Sequence, residues 1–172
     1  MMTPPYKASF ERSFENLGDL EGLGLAEDYF KGYIHCSNCS LTSLKGMPRH
    51  VGRDVNVVKN DLKSLEFCPN KIDGDFYFNS NKLTSLQGIH KLFKDGYIQG
   101  EIQLTGNPIK SHLLGLLLIP RLTTVFADDA PKSLPELVAA IDIINRHLEG
   151  KRDIIDCQQE LIAAGLKAYA QL

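Results

Sequence analysis

Apolar residues recur in the middle of the chain at a fixed period. Leu41, Leu62 and Leu83 share one position of it, since 62 − 41 and 83 − 62 are both 21, and another leucine follows each of them three residues later. Self-similarity at a period of about 20 to 50 residues is the sequence signature of stacked repeats. We therefore predict a solenoid in which neighbouring repeats cover each other's apolar side chains.

Each unit follows the pattern apolar-x-apolar-x-x-Asn/Cys-x-apolar, which is the central segment of a leucine-rich repeat. The copies are Ile34/Cys36/Cys39/Leu41, Val55/Val57/Asn60/Leu62, Phe76/Phe78/Asn81/Leu83 and, after an insertion around 94–100, Ile102/Leu104/Asn107/Ile109. The alternation predicts a short strand with inward apolar side chains, and we expect the Asn amide to satisfy backbone groups that the strands leave unpaired. The predicted fold class is an α/β solenoid: a short, right-handed leucine-rich-repeat solenoid with a parallel sheet on its concave face, an extended or turn-like convex side, and a C-terminal helical cap.

The segments outside the repeats are predicted to close the two ends of the solenoid. The boundaries are 1–30 for an N-terminal cap with a degenerate repeat, 31–110 for the repeats, and 111–172 for a helical C-terminal cap. In the N-terminal cap, Ser13 and Glu15 occupy the positions expected for the first strand. A short helix is predicted there from Ala8, Phe10, Phe14 and Leu17.

The C-terminal segment shows helical spacing of apolar residues. We predict a helix over 111–119, a last strand over 122–126, and then two antiparallel helices. The first helix starts with a capping box of Ser133 and Glu136 and ends near Leu148, and the second spans about 153–164. The apolar faces are Leu137, Ile141, Ile144 and Leu148 on the first, and Ile154, Ile155, Leu161 and Ile162 on the second.

Composition narrows the classes of partner. The 172 residues carry a net charge of −2, so the sequence as a whole provides no basic field for nucleic acid, and neither nucleic acid nor a membrane is an expected partner. No apolar run approaches the roughly 20 residues of a membrane span, and the N-terminal residues do not resemble a secretion signal. A cytoplasmic site of action is therefore expected.

The cysteines and histidines are the residues most open to a chemical role. Cys36-x-x-Cys39 resembles half of a metal site, but the sequence has no second half, and both cysteines stand at inward repeat positions. We predict four free thiols, no metal, no cofactor and no enzymatic activity, with a cysteine enzyme using Cys157 as the unfavoured alternative. The predicted surface histidines are His50, His90, His112 and His147.

The outward positions of the predicted strands are the candidate partner-binding surface. They are Tyr33, His35, Asp54, Asn56, Asp75, Tyr77, Asn79, Glu101 and Gln103. Asp54, Asp75 and Glu101 form a row of like charge, which costs several tenths of a kcal/mol per neighbouring pair and indicates a protein partner with a basic patch. The simpler interpretation is a solvated polar face.

The repeat segment NKLTSLQG and the tail CQQELIAAGLKAYAQL resemble a group of phage and prophage leucine-rich-repeat proteins. The repeats are also similar in length to those of bacterial effector proteins. The phage resemblance implies an intracellular protein that binds a bacterial host protein, for example a defence component, and inhibits or redirects it. Self-assembly through the C-terminal helices is the alternative function.

Overall fold

The computed structural model describes residues 7–9, 17–25, 28–127 and 134–172. The strands are β1 (Lys7–Ser9), β2 (Tyr29–Phe30), β3 (Tyr33–His35), β4 (His50–Val51), β5 (Val55–Asn56), β6 (Lys71–Ile72), β7 (Phe76–Tyr77), β8 (Tyr97–Ile98), β9 (Glu101–Gln103) and β10 (Thr124–Phe126). The helices are α1 (Pro135–Glu149) and α2 (Ile154–Ala163), with three 3-10 helices at Glu21–Leu23, Ile89–Leu92 and Leu114–Leu118.

The strands form two parallel sheets that alternate along the chain. One sheet has six strands in the order β1-β3-β5-β7-β9-β10, and the other has four in the order β2-β4-β6-β8. Every pairing joins strands of successive turns, so the chain coils as a solenoid of about five turns followed by a pair of helices. This confirms the predicted α/β solenoid with a C-terminal helical pair.

The pairing register shows where the repeat is regular. Ile34 pairs with Val55 and Val55 with Phe76, and the differences 55 − 34 and 76 − 55 are both 21. Phe76 then pairs with Ile102, a larger difference, because extra residues are inserted before β9. The pairing of Ala8 with Ile34 spans the same larger difference, since 34 − 8 and 102 − 76 are both 26.

The inward repeat positions form one continuous core. All eight inward residues at and directly after the repeat strands are fully buried: Ile34, Cys36, Val55, Val57, Phe76, Phe78, Ile102 and Leu104. The two leucines that follow each of the first three of these strands are buried beside them, as at Leu62 and Leu65. Fully burying an aliphatic or phenylalanine side chain contributes roughly 1.5–3 kcal/mol, and in a solenoid the adjacent turns supply that burial.

The buried asparagines satisfy the backbone as the sequence predicts. Asn81 Nδ2 donates to the carbonyls of Val57 (3.0 Å) and Phe78 (2.9 Å), and its Oδ1 accepts from Leu62 N–H at 3.0 Å. Asn60 and Asn107 make the equivalent bonds one turn away. Each asparagine therefore joins two successive turns through groups that neither sheet pairs.

The predicted N-terminal helix is wrong where the structure describes that segment. Lys7–Ser9 is a strand paired in parallel with β3, where the sequence predicts a helix that includes Ala8. The first strand also lies before the expected positions Ser13 and Glu15, because this turn is longer than the regular repeat. Phe10, Phe14, Ser13 and Glu15 lie outside the described residues.

The C-terminal segment follows the predicted order with local differences. The predicted helix over 111–119 is a 3-10 helix over Leu114–Leu118, preceded by His112 in a left-handed conformation (φ 63°). The strand β10 is confirmed. The helix α1 has Leu134 rather than Ser133 at its N-cap, because Pro135 occupies its first position; Ser133 lies outside the described residues. Among the described residues, no helix is long and apolar enough to cross a membrane.

The buried face of α2 differs from the predicted one. Cys157 and Leu161 are buried, but Ile155 is 64% exposed and Ile162 is 49% exposed. In α1, by contrast, the four residues that the sequence places on the apolar face are all buried.

The chain after α2 returns to the solenoid, where the N–H of His112 donates to the carbonyl of Ala168 at 3.2 Å.

Candidate functional site

The outward side chains of the six-stranded sheet lie in rows, because neighbouring strands pair in register. One row is His35, Asn56, Tyr77 and Gln103. The row two residues earlier in each repeat is Tyr33, Asp54, Asp75 and Glu101, of which Asp54 and Asp75 directly precede their strands. We call these two rows, with Ser37 and Asn79 that follow their strands, the sheet face.

All nine residues that the sequence assigns to a partner-binding surface lie on the sheet face. Asp54 is exposed and the others are half-buried. Five of them line a cavity of about 240 Å³ together with Ile34: Tyr33, His35, Asp54, Asn56 and Tyr77. Asp75, Asn79, Glu101 and Gln103 lie outside that lining. The structure therefore brings together about half of the predicted residues in one concavity.

The aspartates of the sheet face hydrogen-bond to the backbone of the following strand. Asp54 Oδ1 accepts from the N–H of Asp75 at 3.0 Å, and Asp75 Oδ1 accepts from the N–H of Glu101 at 2.8 Å. Hydrogen bonds to a charged acceptor are stronger than neutral ones, so they offset part of the repulsion within the row. The acidic row therefore also has a structural role, since its aspartates bind backbone N–H groups of the next repeat, and the sequence alone did not reveal this role.

Two glycines make room for these carboxylates. A Cβ atom added at Gly74 would overlap Asp54 Oδ1, and one added at Gly100 would overlap Asp75 Oδ1. In both cases the glycine directly precedes the residue whose N–H is bonded. The sequence signal for this arrangement is the recurrence of Gly-Asp and Gly-Glu one repeat after an aspartate.

Tyr77 is held in the middle of the acidic residues. Its hydroxyl donates to Asp75 Oδ2 at 2.6 Å. Burial raises the pKa of Tyr77 above its ordinary value, and the hydrogen bond to Asp75 and the charges of Asp54 and Glu101 raise it further. The hydroxyl therefore stays protonated, and its hydrogen bond to Asp75 holds the ring beside the cavity that Tyr77 lines.

A short polar network lies at the other end of the cavity. His35 Nε2 lies 2.9 Å from Ser37 Oγ, and that hydroxyl donates to Asn56 Oδ1 at 2.8 Å. Asn56 Oδ1 also accepts from the N–H of Val58 at 3.2 Å. The network fixes the side chains on two strands, so this wall of the cavity is formed before any partner arrives.

Asn79 contains an unsatisfied polar atom. Its Nδ2 donates to Gln103 Oε1 at 3.3 Å, whereas its Oδ1 is buried and, within the described part of the chain, accepts no hydrogen bond. A buried acceptor without a donor costs about 1–3 kcal/mol.

The four cysteines are free and buried, as the sequence predicts. Burial raises the pKa of Cys68 to about 12 and that of Cys157 to about 11, and it also raises the pKa of Cys36. The thiolate is the nucleophilic form, so these positions disfavour cysteine chemistry at neutral pH. Cys39 takes the place of the asparagine in its repeat, and its Sγ lies 3.4 Å from the carbonyl oxygen of Ser37.

A second cluster, which the sequence pattern did not indicate, lies on the four-stranded sheet. Asp73 Oδ1 lies 2.9 Å from His50 Nε2 and accepts from the hydroxyl of Tyr97 at 2.6 Å. The His50 ring packs 4.7 Å from that of Tyr29, and the Arg121 guanidinium lies 4.4 Å from the centre of the Tyr97 ring. Tyr29, His50 and Tyr97 lie in one register row with Lys71, and the sequence signal for that row is its spacing, since 50 − 29 and 71 − 50 are both 21.

The surroundings of Asp73 favour its charged form. Burial acts to raise the pKa of Asp73, but the hydrogen bonds from Tyr97 and His50 and the charge of Arg121 outweigh burial and lower it. His50 is therefore a half-buried, hydrogen-bonded residue of this cluster rather than a solvated one.

Of the other three histidines that the sequence places on the surface, one is half-buried and two are exposed. His147 is half-buried and lies 2.9 Å from Glu160 Oε2, measured from Nε2. His90 and His112 are exposed, as the sequence predicts.

Within the described ranges, no group of three or more His, Cys, Asp or Glu side chains is placed to hold a metal ion. No family model, curated protein or solved structure matches this chain. The sheet face is therefore the candidate site on geometry alone.

Proposed function

We propose that this protein is a binding module that holds a basic segment of another protein on the sheet face. The observation that carries the proposal is the cavity of about 240 Å³ beside the row of carboxylates. Its walls combine the two tyrosines Tyr33 and Tyr77 with Asp54. A cation is attracted both by an aromatic ring and by a carboxylate, so this lining suits a lysine or arginine side chain.

The acidic row extends the complementary charge beyond the cavity. Asp75 and Glu101 are half-buried, so a bound cation would displace water from partly desolvated groups, where charge pairs are stronger than on an open surface. A stable interface buries about 800 Å² on each partner. Because the sheet face has few strands, neighbouring surfaces are expected to contribute to an interface of that size.

The proposed target is a bacterial host protein that is inhibited or redirected on binding. This follows from the resemblance of the repeats to phage leucine-rich-repeat proteins, which also suggests the cytoplasm of the host cell as the site of action. The free, buried cysteines are compatible with a reducing compartment. We propose binding without catalysis, since the buried Cys157 thiol has a raised pKa.

The test removes charge while keeping the sheet intact. In an Asp54→Asn/Asp75→Asn variant, each new amide oxygen still accepts the backbone N–H that the aspartate accepted. The variant therefore loses two negative charges without losing the bonds between strands. We expect it to unfold at nearly the wild-type denaturant concentration and to lose at least about tenfold in affinity for a basic partner.

The measurement is affinity capture from a bacterial lysate, followed by titration of the captured protein. The matched control is Asp142→Asn/Glu149→Gln, which removes two exposed charges from α1. A host protein retained by the wild type and the control but lost by the sheet-face variant supports the proposal. Equal capture by all three proteins would move the binding surface away from the sheet face and contradict it.

A further inference from the structure

The outward row of the sheet face continues onto β10, the last strand of the six-stranded sheet. Phe126 of β10 pairs in register with Gln103 of β9. Val125 before it is buried, so by the alternation of a strand Phe126 points to the same side of the sheet as Gln103. The polar row that begins at His35 therefore ends at a phenylalanine.

The Phe126 ring is not required to hold β10 in place. Its backbone carbonyl accepts from the N–H of Leu104 at 3.0 Å, and the sheet edge is closed by the bonds of Asn145 to the backbone of Val125. The residue is 45% exposed. Single exposed apolar side chains are common on protein surfaces, but this one stands in the register row of the candidate site, where an aromatic ring is a typical anchor for a partner.

The distance from the cavity of the sheet face to Phe126 follows from the strand order. Residues from the repeats of β3, β5 and β7 line the cavity, so it is centred on β5. Three strand spacings separate β5 from β10, by way of β7 and β9, and at about 4.8 Å each they amount to about 14 Å. An extended chain advances about 3.3 Å per residue, so it covers this distance in about four residues.

A partner that reaches both places must run across the strands, because each strand has only two or three residues. An extended segment presents alternate side chains to the sheet, so its first, third and fifth residues face the sheet together. With the first residue in the cavity, the third lies between β7 and β9, over Asp75 and Glu101, and the fifth reaches Phe126. The two carboxylates favour a cation, whereas the exposed ring favours an apolar side chain.

We propose that the partner of the sheet face is an extended segment with basic residues at its first and third positions and an apolar residue at its fifth. This inference rests on the proposed function, because the basic residue in the cavity sets the register of the other two. Asp54 and Tyr77 bind the first residue, and the carboxylates of Asp75 and Glu101 bind the third. Phe126 packs against the fifth and determines the spacing that is recognised.

The test uses short synthetic peptides and the intact protein. The matched peptide is Ser-Lys-Ser-Lys-Ser-Phe-Ser, which carries the proposed spacing. The shifted peptide, Ser-Lys-Ser-Lys-Phe-Ser-Ser, has the same composition and charge, but its phenylalanine is one position too early and faces away from the sheet. A third peptide has serine in place of the phenylalanine. Each peptide carries a fluorescent label, and its affinity is measured by anisotropy at low ionic strength.

We expect the matched peptide to bind about fivefold or more tightly than the shifted one, since only the matched spacing brings the two rings together. Phe126→Thr should remove this difference and leave the affinity for the peptide without phenylalanine unchanged. Phe67→Gly is the matched control and should keep the difference. Phe67 is also 45% exposed, lies outside the sheet face, and has a left-handed backbone that glycine adopts without strain.

The outcomes distinguish this inference from the proposed function. If the wild type binds all three peptides equally and Asp54→Asn/Asp75→Asn weakens them all, the proposed function stands and the spacing is wrong. If no peptide binds at millimolar concentration, or if the double variant changes nothing, both fail.

Two results with Phe126→Thr would also overturn the inference. A preference for the matched peptide that survives in this variant places the apolar anchor elsewhere. Self-association of the free wild-type protein that the variant abolishes, with no change in peptide affinity, assigns the ring to a contact between copies.

Discussion

One residue in each repeat adopts a left-handed backbone just after its strand in the six-stranded sheet. The four residues are Asn38, Lys59, Ser80 and Gly106, with φ of 57°, 55°, 54° and 72°. Glycine and asparagine tolerate this conformation, whereas an ordinary side chain costs about 1–2 kcal/mol. The repeat therefore contains a correctable cost at Lys59.

We expect Lys59→Asn to stabilise the protein by about 0.5–1 kcal/mol, because asparagine relieves the strain without the unfolded-state entropy of glycine. Urea unfolding measures the difference. The control is Lys63→Asn, an exposed site with no positive φ, where the change should stay within about 0.5 kcal/mol. Equal effects at both positions would mean that the backbone at Lys59 is unstrained.

At this scale the sequence predicts side-chain direction well and side-chain partners poorly. Alternation alone identifies Phe76 and Phe78 as inward, and both are fully buried. The bond from the Glu101 N–H to Asp75 escapes sequence reasoning, because it depends on the close approach of two turns at Gly100. Sequence spacing predicts which residues of neighbouring strands pair in register, but it does not predict which backbone group a carboxylate side chain hydrogen-bonds.

Glu160 of α2 forms ion pairs with two residues of α1. Glu160 accepts from the Arg146 guanidinium and lies 2.9 Å from His147 Nε2. The hydrogen bond from Arg146, and then that from His147, lowers the pKa of Glu160 below its ordinary value. The folded chain therefore binds the Glu160 proton more weakly than the unfolded chain does.

The contribution of Glu160 to stability should depend on pH in one direction. It is present above the ordinary glutamate pKa of about 4.3 and is lost as the pH falls through the lower folded value. We expect the difference in unfolding free energy between wild type and Glu160→Gln to shrink between about pH 7 and about pH 3. Urea titrations across that range test this, with Glu149→Gln as the control; a constant difference would contradict it.

The elements that the sequence pattern does not reveal are short or irregularly spaced. The strands of the four-stranded sheet have only two residues each, too few for an alternating pattern to be recognised. The strand β1 escapes the pattern because its turn is longer than the regular repeat. Ile155 and Ile162 fit an apolar face of α2 by spacing, but the contact that forms is centred on Cys157 and Leu161.

At the scale of the whole molecule, the six-stranded sheet ends against a helix. Asn145 of α1 accepts from the N–H of Val125 and donates to its carbonyl, both at 2.8 Å. These are the two bonds that another parallel strand would make to β10. A sheet edge left unpaired attracts further chains, and a single side chain here satisfies the central residue of that edge.

Removing this side chain should affect both folding and solubility. We expect Asn145→Ala to cost about 2 kcal/mol, since two polar groups of the buried Val125 lose their partners. Light scattering should then detect association through the opened edge. The control Asp142→Ala changes an exposed residue of the same helix and should do neither; an Asn145→Ala protein of unchanged stability would show that water replaces the amide.

The amide at Asn145 also constrains how such a chain can change in length over evolution. A unit appended after β10 would separate the edge from the helix that closes it, so duplications at that end should be eliminated. A duplicated repeat between β5 and β7 instead receives the same aspartate, glycine and asparagine partners from its neighbours. Homologous proteins are therefore expected to differ in the number of internal repeats and to keep the same C-terminal helices.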